Sequence, residues 1–246
     1  MVTINADHLA QLVTIESHVH YGQPPPAGRA PFVVVRRPSA VLISAPHGAI
    51  THRNNDRQEW HDEDDYTAGM ALLLSELCGA SVIATIWRTD GSDPNYHKVH
   101  CSPYKKALRR LVHEMGIRWV IDLHGAADAS LPPRQLVDLG TRREKRSLPR
   151  HQLETLRTRI EDKLGPGTVS KNVFPAYVDG RTITAYCHDV LGLSAVQIEM
   201  KSAVRVPLRR TDATAYAENG PFSARPEDVT GLMQALADFI FSLSAG

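Results

Sequence analysis

The sequence has little cysteine and almost no net charge. Only three of its 246 residues are cysteines, and no two of them form a CxxC pair. This excludes a disulfide framework and a thiolate zinc site. Lysine and arginine (28 residues) balance aspartate and glutamate (27 residues), so the chain carries no overall field for nucleic acid or an anionic membrane surface.

Long apolar runs are also missing. No stretch approaches the roughly 18–20 apolar residues of a transmembrane helix. The first residues lack the basic start and apolar run of a signal peptide, so we expect a cytoplasmic protein with no membrane or nucleic-acid partner. No GxSxG or P-loop motif occurs, which leaves serine-hydrolase and nucleotide-binding readings without support. The oligomeric state stays open.

Strand patterns and helix patterns alternate along the chain. Runs of β-branched residues at 32–36 and 41–45, broken at 37–39, predict a hairpin. Further strands are predicted at 81–86, 118–123 and 195–200, and helices at 66–77, 103–115 and 227–243. This order predicts one α/β domain over 1–246, a three-layer sandwich around a central mixed, largely parallel sheet of phosphorylase/hydrolase-like type.

A dense basic stretch occupies residues 134–163. We interpret it as a solvated loop and helix face, with a site for an acidic partner as the alternative. No aromatic residue lies among its charges, which weakens any single-strand nucleic-acid reading.

Two histidines stand where apolar strands end. His47 follows Val-Leu-Ile-Ser-Ala-Pro, His124 follows Trp-Val-Ile-Asp-Leu, and a glycine comes directly after each histidine. In open α/β sheets, sites form just beyond the carboxyl ends of the strands, so these two side chains are expected to converge. Neutral imidazole is a preferred zinc ligand.

A catalytic zinc usually takes three protein ligands and leaves one position for water. The third ligand is expected from the acidic cluster at 61–65, just before the helix predicted at Tyr66. Acidic residues also stabilise a helix N-terminus through its dipole, so metal binding and helix capping both stay open for the cluster.

Glu199 is the fourth chemical element of the sequence. Residues 196–199 alternate apolar and polar, so Gln197 and Glu199 share one face of the strand. A carboxylate on an internal strand is costly unless it is paired or functional. Glu199 is therefore a candidate general base for water activation, and an ion-paired glutamate on an edge strand is the alternative.

Four motifs occur in order: residues 44–48, the acidic cluster at 61–65, residues 122–125 and residues 197–199. Together they resemble the N-formylglutamate amidohydrolase family, whose fold is similar to that of zinc carboxypeptidases. The resemblance implies a zinc-dependent hydrolase of the C–N amide bond in an N-formyl or N-acyl amino acid or a related small amide. A carboxypeptidase-like enzyme acting on a short or modified peptide is one alternative. A non-catalytic metal-binding protein of the same fold is the other.

The resemblance also implies roles for individual residues. His47, Glu63 and His124 would bind Zn²⁺, with Asp65 as the rival of Glu63. Glu199 would be the catalytic base and proton shuttle.

A second set of roles concerns orientation and substrate. Asp122 would orient a ligand imidazole. Arg88 and Asn95 match the family's substrate-binding region, but residues 93–96 lack the second arginine of that region. Arg181 is the expected replacement, either on a substrate carboxylate or on the oxyanion.

Overall fold

The computed structural model describes residues 2–53, 59–142, 146–176, 181–214 and 224–244. Its strands are β1 (Phe32–Val35), β2 (Val41–Ala45), β3 (Thr51–His52), β4 (Trp60–His61), β5 (Ser81–Thr85), β6 (Trp119–Gly125), β7 (Val137–Gly140), β8 (Val169–Lys171) and β9 (Ser194–Met200). Its α-helices are α1 (Ala6–Glu16), α2 (Thr67–Cys78), α3 (Pro103–Met115), α4 (Arg150–Leu164), α5 (Ile183–Asp189), α6 (Ser202–Arg205) and α7 (Pro226–Ser244).

Seven strands form one mixed sheet in the order β1-β5-β2-β6-β9-β7-β8. The four central strands β5, β2, β6 and β9 run parallel to one another. The outer strand β1 is antiparallel to β5, and β7 is antiparallel to β9. The predicted α/β fold with a mixed, largely parallel sheet is confirmed.

Alternation along the strands divides the core into two halves. Val41 and Ile43 of β2 pack in the larger half, with α1, α2, α4 and α7. Leu42 of β2 and Val120 of β6 pack in the smaller half, with α3 and α5. The sheet is thus the middle of three layers. None of the described helices has the length and apolar character that crossing a bilayer requires.

The predicted hairpin between residues 32–36 and 41–45 is wrong. β5 lies between β1 and β2, so Ile83 pairs with Val34 on one side and with Ser44 on the other. β2 is buried throughout and takes parallel partners on both edges, whereas the half-buried β1 takes the sheet edge. A strand with parallel partners on both edges is covered on both faces, and the short connection between β1 and β2 does not force them to pair.

The helix predicted at 103–115 has these bounds in the structure. Its first turn is closed by the Ser102 side chain, which accepts a hydrogen bond from the backbone N–H of Lys105, and by Pro103 at the first position. Gly116, at φ 63°, ends it in the left-handed region. By contrast, β6 runs beyond its predicted end at Leu123, because His124 and Gly125 pair with β9.

Candidate active site

Three neighbouring parallel strands bring the predicted histidines and Glu199 to one edge of the sheet. His47 lies two residues beyond β2, His124 lies in β6, and Glu199 in β9 is the direct register partner of His124. Both histidines are 3% exposed and Glu199 is 8% exposed. The convergence expected from the strand ends is therefore present in the structure.

Asp64 is the acid that lies between the two imidazoles. Its Oδ2 atom is 3.6 Å from Nδ1 of His47 and 3.4 Å from Nδ1 of His124. Its backbone N–H donates to the carbonyl of His47 at 2.7 Å, which ties the acidic segment to the end of β2. We call His47, Asp64, His124 and Glu199 the metal corner.

The predicted ligand Glu63 and its rival Asp65 point elsewhere. The Glu63 carboxylate accepts hydrogen bonds from the backbone N–H and the hydroxyl of Thr214, at 2.5 and 2.6 Å. Asp65 forms a buried ion pair with Arg205. Of the three acids, Asp64 is therefore the one whose carboxylate lies near both imidazoles. Consecutive residues ahead of a helix face different directions, and the sequence carries no periodicity that selects among them.

A third imidazole lies beside the metal corner. The His61 ring stacks on His47 with centroids 4.1 Å apart, and His47, His61 and Asp64 place potential ligand atoms within 4.8 Å of one another. Burial and the neighbouring His47 lower the pKa of His61 to about 4. His61 is thus neutral near pH 7, the form in which imidazole binds a metal ion.

Each of the two strand-end histidines directs its other nitrogen to a buried carboxylate. Nε2 of His47 is 2.8 Å from Asp93, and Nε2 of His124 is 3.2 Å from Asp122. Metal-binding histidines typically contact a carboxylate in this way, which fixes the ring and its tautomer. Asp122 was expected from the sequence, whereas Asp93 was missed. Its Asp-Pro-Asn context signals a turn but not the contact with His47.

The electrostatics of the cluster favour a positive charge. Burial opposes protonation of His47, but Asp93 and Asp64 outweigh it and raise the pKa of His47 to about 9. Asp122 and Asp64 likewise outweigh burial and raise the pKa of His124. In addition, Nδ1 of His47 is buried without a hydrogen-bond partner among the described residues. An orphaned ligand nitrogen among carboxylates is what a bound divalent cation would satisfy.

The Glu199 carboxyl group is buried and hydrogen-bonded. Nε2 of Gln197 donates to its Oε1 at 2.6 Å, as expected for two residues that share a face of β9. Burial, reinforced by the nearby Asp64 and opposed by His124, raises the pKa of Glu199 to about 7. A carboxyl group with a pKa near neutrality can both accept and return a proton.

Glu16 supports the acidic segment from α1. This fully buried carboxylate accepts hydrogen bonds from the backbone N–H groups of Tyr66 and Gly69, both at 2.8 Å, and from the Tyr21 hydroxyl at 2.5 Å. It therefore caps α2, which begins without a side-chain cap of its own next to the left-handed Tyr66 (φ 65°). Burial raises the pKa of Glu16 to about 7.

Four loop residues, Arg53, Asn95, Tyr96 and Arg181, lie beside the metal corner, and we call them the substrate wall after the role proposed for them below. Asn95 joins the wall to the metal corner, because its Nδ2 is 3.3 Å from Nε2 of His124. Its Oδ1 accepts a hydrogen bond from the backbone N–H of Ile183 at 2.7 Å. The guanidinium groups of Arg53 and Arg181 each lie 5.8 Å from the centre of the Tyr96 ring.

Arg88, predicted to bind substrate, is engaged elsewhere. It forms two hydrogen bonds to Asp90, at 3.0 and 3.2 Å, and its guanidinium lies 5.5 Å from the Trp60 ring. Arg88 is therefore not one of the four wall residues, and its role in substrate binding stays a prediction. Arg53, which the sequence did not single out, stands there instead, with its Nε 2.7 Å from Asp93.

A cavity of about 320 Å³ opens beside Asp64, within the size range of small-molecule sites. It is lined by Trp60, His61, Asp62, Glu63, Asp64, Gly125 and Ala127. The basic stretch at 134–163 contributes Arg142, Arg146 and Arg150 to another cavity of about 360 Å³, which shares no lining residue with the first. His61 and Asp64 of the titratable cluster line the smaller cavity, which is therefore the candidate active site.

The structure is similar to that of N-formylglutamate amidohydrolase from Ralstonia eutropha JMP134. The TM-score is 0.59 at 13% identity, over 88% of this chain and 98% of that chain. The chain has the N-formylglutamate amidohydrolase fold. This confirms the fold expected from the ordered motifs. No protein-family model and no curated protein matches the sequence.

Two further solved structures share this fold. A gene product of Agrobacterium tumefaciens has a TM-score of 0.58 at 14% identity, over 90% of this chain and 98% of that chain. The LapA aminopeptidase of Legionella pneumophila has a TM-score of 0.53 at 10% identity, over 99% of this chain and 72% of that chain. At these identities the likeness concerns the fold, and function has to be argued from the site.

Proposed function

We propose that the protein is a zinc-dependent amidohydrolase of the N-formylglutamate amidohydrolase kind, which hydrolyses the C–N bond of an N-formyl or N-acyl amino acid or a related small amide. The observation that carries the proposal is the position of the Asp64 carboxylate between the Nδ1 atoms of His47 and His124, beside Glu199. Two imidazoles and one carboxylate are a common ligand set of catalytic zinc.

His47, Asp64 and His124 would hold the ion, and His61 is the nearest further ligand. The chemistry that zinc supplies when bound is Lewis acidity, which acidifies water and polarises a carbonyl. Asp93 and Asp122 keep Nδ1 of each strand-end histidine directed into the site, since each carboxylate engages the opposite ring nitrogen.

Glu199 is the proposed general base. It accepts a proton from the attacking water and returns it to the amine nitrogen as the C–N bond breaks. Gln197 fixes one of its carboxylate oxygens, and burial keeps its pKa near the pH at which both transfers are needed.

Arg181 is the proposed partner of the substrate's negative charge. Arg53 is already bonded to Asp93, whereas Arg181 forms no ion pair within the described part of the chain. A guanidinium can bind a carboxylate in two parallel hydrogen bonds or stabilise the oxyanion of the tetrahedral state. A small amide with a carboxylate, such as an acylated amino acid or a short peptide, therefore suits the site.

Metal analysis of the purified protein, joined to a substrate screen, tests the proposal. The screen contains N-formyl and N-acyl amino acids and dipeptides, each assayed with the native protein and with Glu199→Gln. We expect about one zinc ion per chain and zinc-dependent hydrolysis of at least one N-acylated amino acid. Release of only the C-terminal residue from peptides would indicate a carboxypeptidase instead. Zinc binding without turnover of any amide would contradict the proposal.

A further inference from the structure

Lys105 in α3 is a fully buried cation that the proposed mechanism does not use. Its Nζ donates to the backbone carbonyl of His97 at 2.6 Å and to the backbone carbonyl of Arg181. The ring of Tyr186 lies on a third side, with its centre 5.7 Å from Nζ. No carboxylate of the described residues lies within ion-pair distance of Lys105.

Such a residue is costly for stability. Moving an ammonium group out of water without an anionic partner carries a desolvation penalty, and burial accordingly lowers the pKa of Lys105 to about 8. An apolar side chain of similar length would fill the same space without that penalty. Stability alone therefore does not account for a lysine at this position.

The two carbonyls that Lys105 binds belong to the two segments of the substrate wall. His97 follows Asn95 and Tyr96 in one loop, and Arg181 stands just before α5 in the other. These segments are far apart in sequence. Besides Lys105, they are joined by the hydrogen bond from Ile183 to Asn95 and by the contact of the Arg181 guanidinium with the Tyr96 ring. Lys105 therefore links the two segments of the substrate wall through its side chain.

The helix that carries Lys105, α3, is fixed to the central sheet. The neighbouring Tyr104 hydroxyl donates to the carbonyl of Ile83 in β5 at 2.8 Å and lies 2.9 Å from the hydroxyl of Ser44 in β2. Lys105 therefore connects two loops to the central strands through one buried side chain.

We propose that Lys105 is a positioning residue that holds Arg181 and Asn95 beside the metal corner and so sets the affinity for the anionic end of the substrate. The link between lysine and loops stands on geometry alone. Its effect on substrate rests on the proposed function.

Hydrogen exchange followed by mass spectrometry tests the link without any substrate. Lys105→Met is compared with the native protein and with Lys106→Met, the exposed neighbour on the same helix. In Lys105→Met we expect amide exchange at 93–97 and 181–185 to rise by about tenfold or more, with residues 119–125 unchanged and zinc retained. Unchanged exchange at both segments, or a rise over the whole chain, would overturn the proposal. This result stands even if the protein hydrolyses no amide.

Kinetics test the consequence, with N-formyl-L-glutamate or the acylated amino acid found in the screen as the probe. Lys105→Met should raise KM about tenfold and leave kcat within about threefold, because it loosens binding groups and not the metal corner. Arg181→Ala keeps the carbonyl that Lys105 binds, so the double variant should bind no worse than Arg181→Ala alone. A loss in kcat at unchanged KM, or additive effects on KM, would overturn a role through Arg181.

A second substitution covers the case in which Lys105→Met does not fold. Lys105→Gln keeps a polar group in the buried site but is one atom shorter and uncharged, so it cannot reach both carbonyls. We expect the same local rise in exchange, and Lys105→Arg, which retains charge and reach, should restore slow exchange. Slow exchange in Lys105→Gln would contradict the proposal.

Discussion

The metal corner and the substrate wall lie side by side but are built differently. In the metal corner, His47, His124 and Glu199 stand on or directly after central parallel strands, and both histidines are 3% exposed. Asp64 lies in the loop before α2 and is tied to the end of β2 by its backbone hydrogen bond to His47. The wall stands on loops, and its Tyr96 is 37% exposed. In the corner the sheet register fixes the distances between the strand-borne side chains. In the wall they depend on a few bonds between distant segments, such as those of Asn95 and Lys105.

Because of this difference, we expect substitutions in the metal corner and in the substrate wall to have separate effects. Changes in the corner should remove zinc or turnover, whereas changes in the wall should weaken substrate binding and leave zinc in place. Rigid elements hold catalytic geometry more accurately than loops do, and loops permit changes of specificity.

The largest effect is expected at Glu199. Glu199→Gln should retain zinc and lower kcat by about 10²- to 10⁴-fold, because the amide cannot accept the water proton. In the native protein, kcat/KM should rise with pH and then level off, since protonation of Glu199 removes the base as the pH falls. Zinc content and pH profiles of both proteins check this. A Glu199→Gln variant with native turnover would refute the role.

The next largest effect, on zinc affinity, is expected at Asp64 and is compared with that at the adjacent Glu63. Asp64→Asn should weaken zinc binding by at least about 100-fold, because it removes the carboxylate nearest both Nδ1 atoms. Glu63→Gln is the matched control and should leave zinc affinity within about threefold, since Glu63 binds Thr214. Competition titrations with a chelator measure both variants. The reverse order of affinities would restore Glu63 as the ligand.

A smaller effect is expected at the carboxylate behind His47. Asp93→Asn should lower zinc affinity by about 10- to 100-fold, because His47 loses the partner that orients its ring. Asp90→Asn, which changes an exposed acid three residues earlier, should leave the affinity unchanged. Equal affinities for the two variants would show that Asp93 does not orient His47 for zinc binding.

The strand-borne half of this site was predictable from the sequence. The apolar runs before His47 and His124 and the alternation around Glu199 report burial and direction, which the sheet then converts into proximity. Strand order was less accessible, since the neighbour of β1 is β5 and not the adjacent β2. Such pairing depends on burial over the whole chain.

The loop-borne half was predictable only in part. Asp64 is selected by a backbone hydrogen bond to His47 and by the left-handed Tyr66, and neither has a periodic signature. Arg53 belongs to the wall and Arg88 does not. Each arginine is placed by an ion pair with an acid in an irregular segment, Asp93 for Arg53 and Asp90 for Arg88. Loop side chains are placed by individual contacts, which a pattern of residue types does not encode.

The smallest functional effect is expected at Glu16, which supports the corner from α1. Its pKa of about 7 lies above the ordinary value of 4.5, so folded protein holds its proton more tightly than unfolded chain. The contribution of protonated Glu16 to the free energy of unfolding is fully present below pH 4.5 and is lost as the pH rises through 7. The unfolding free energy of the native protein, relative to that of Glu16→Gln, should therefore fall by on the order of 2 kcal/mol as the pH rises over that window.

Denaturant titrations at pH 4.5, 6 and 7.5 measure the Glu16 effect. Zinc affinity at pH 7.5 should stay within about threefold of native, since Glu16 touches backbone and not the ligand side chains. A pH-independent difference between the two proteins would show that folding does not raise the pKa of Glu16.

The central claim is that one zinc ion is held by His47, Asp64 and His124. A crystal structure of the zinc-loaded protein, with anomalous scattering recorded at the zinc edge, tests it most directly. We predict one peak at about 2.0–2.2 Å from Nδ1 of both histidines and from the Asp64 carboxylate. A peak bound by Glu63 in place of Asp64, or no peak at these histidines, would contradict the account.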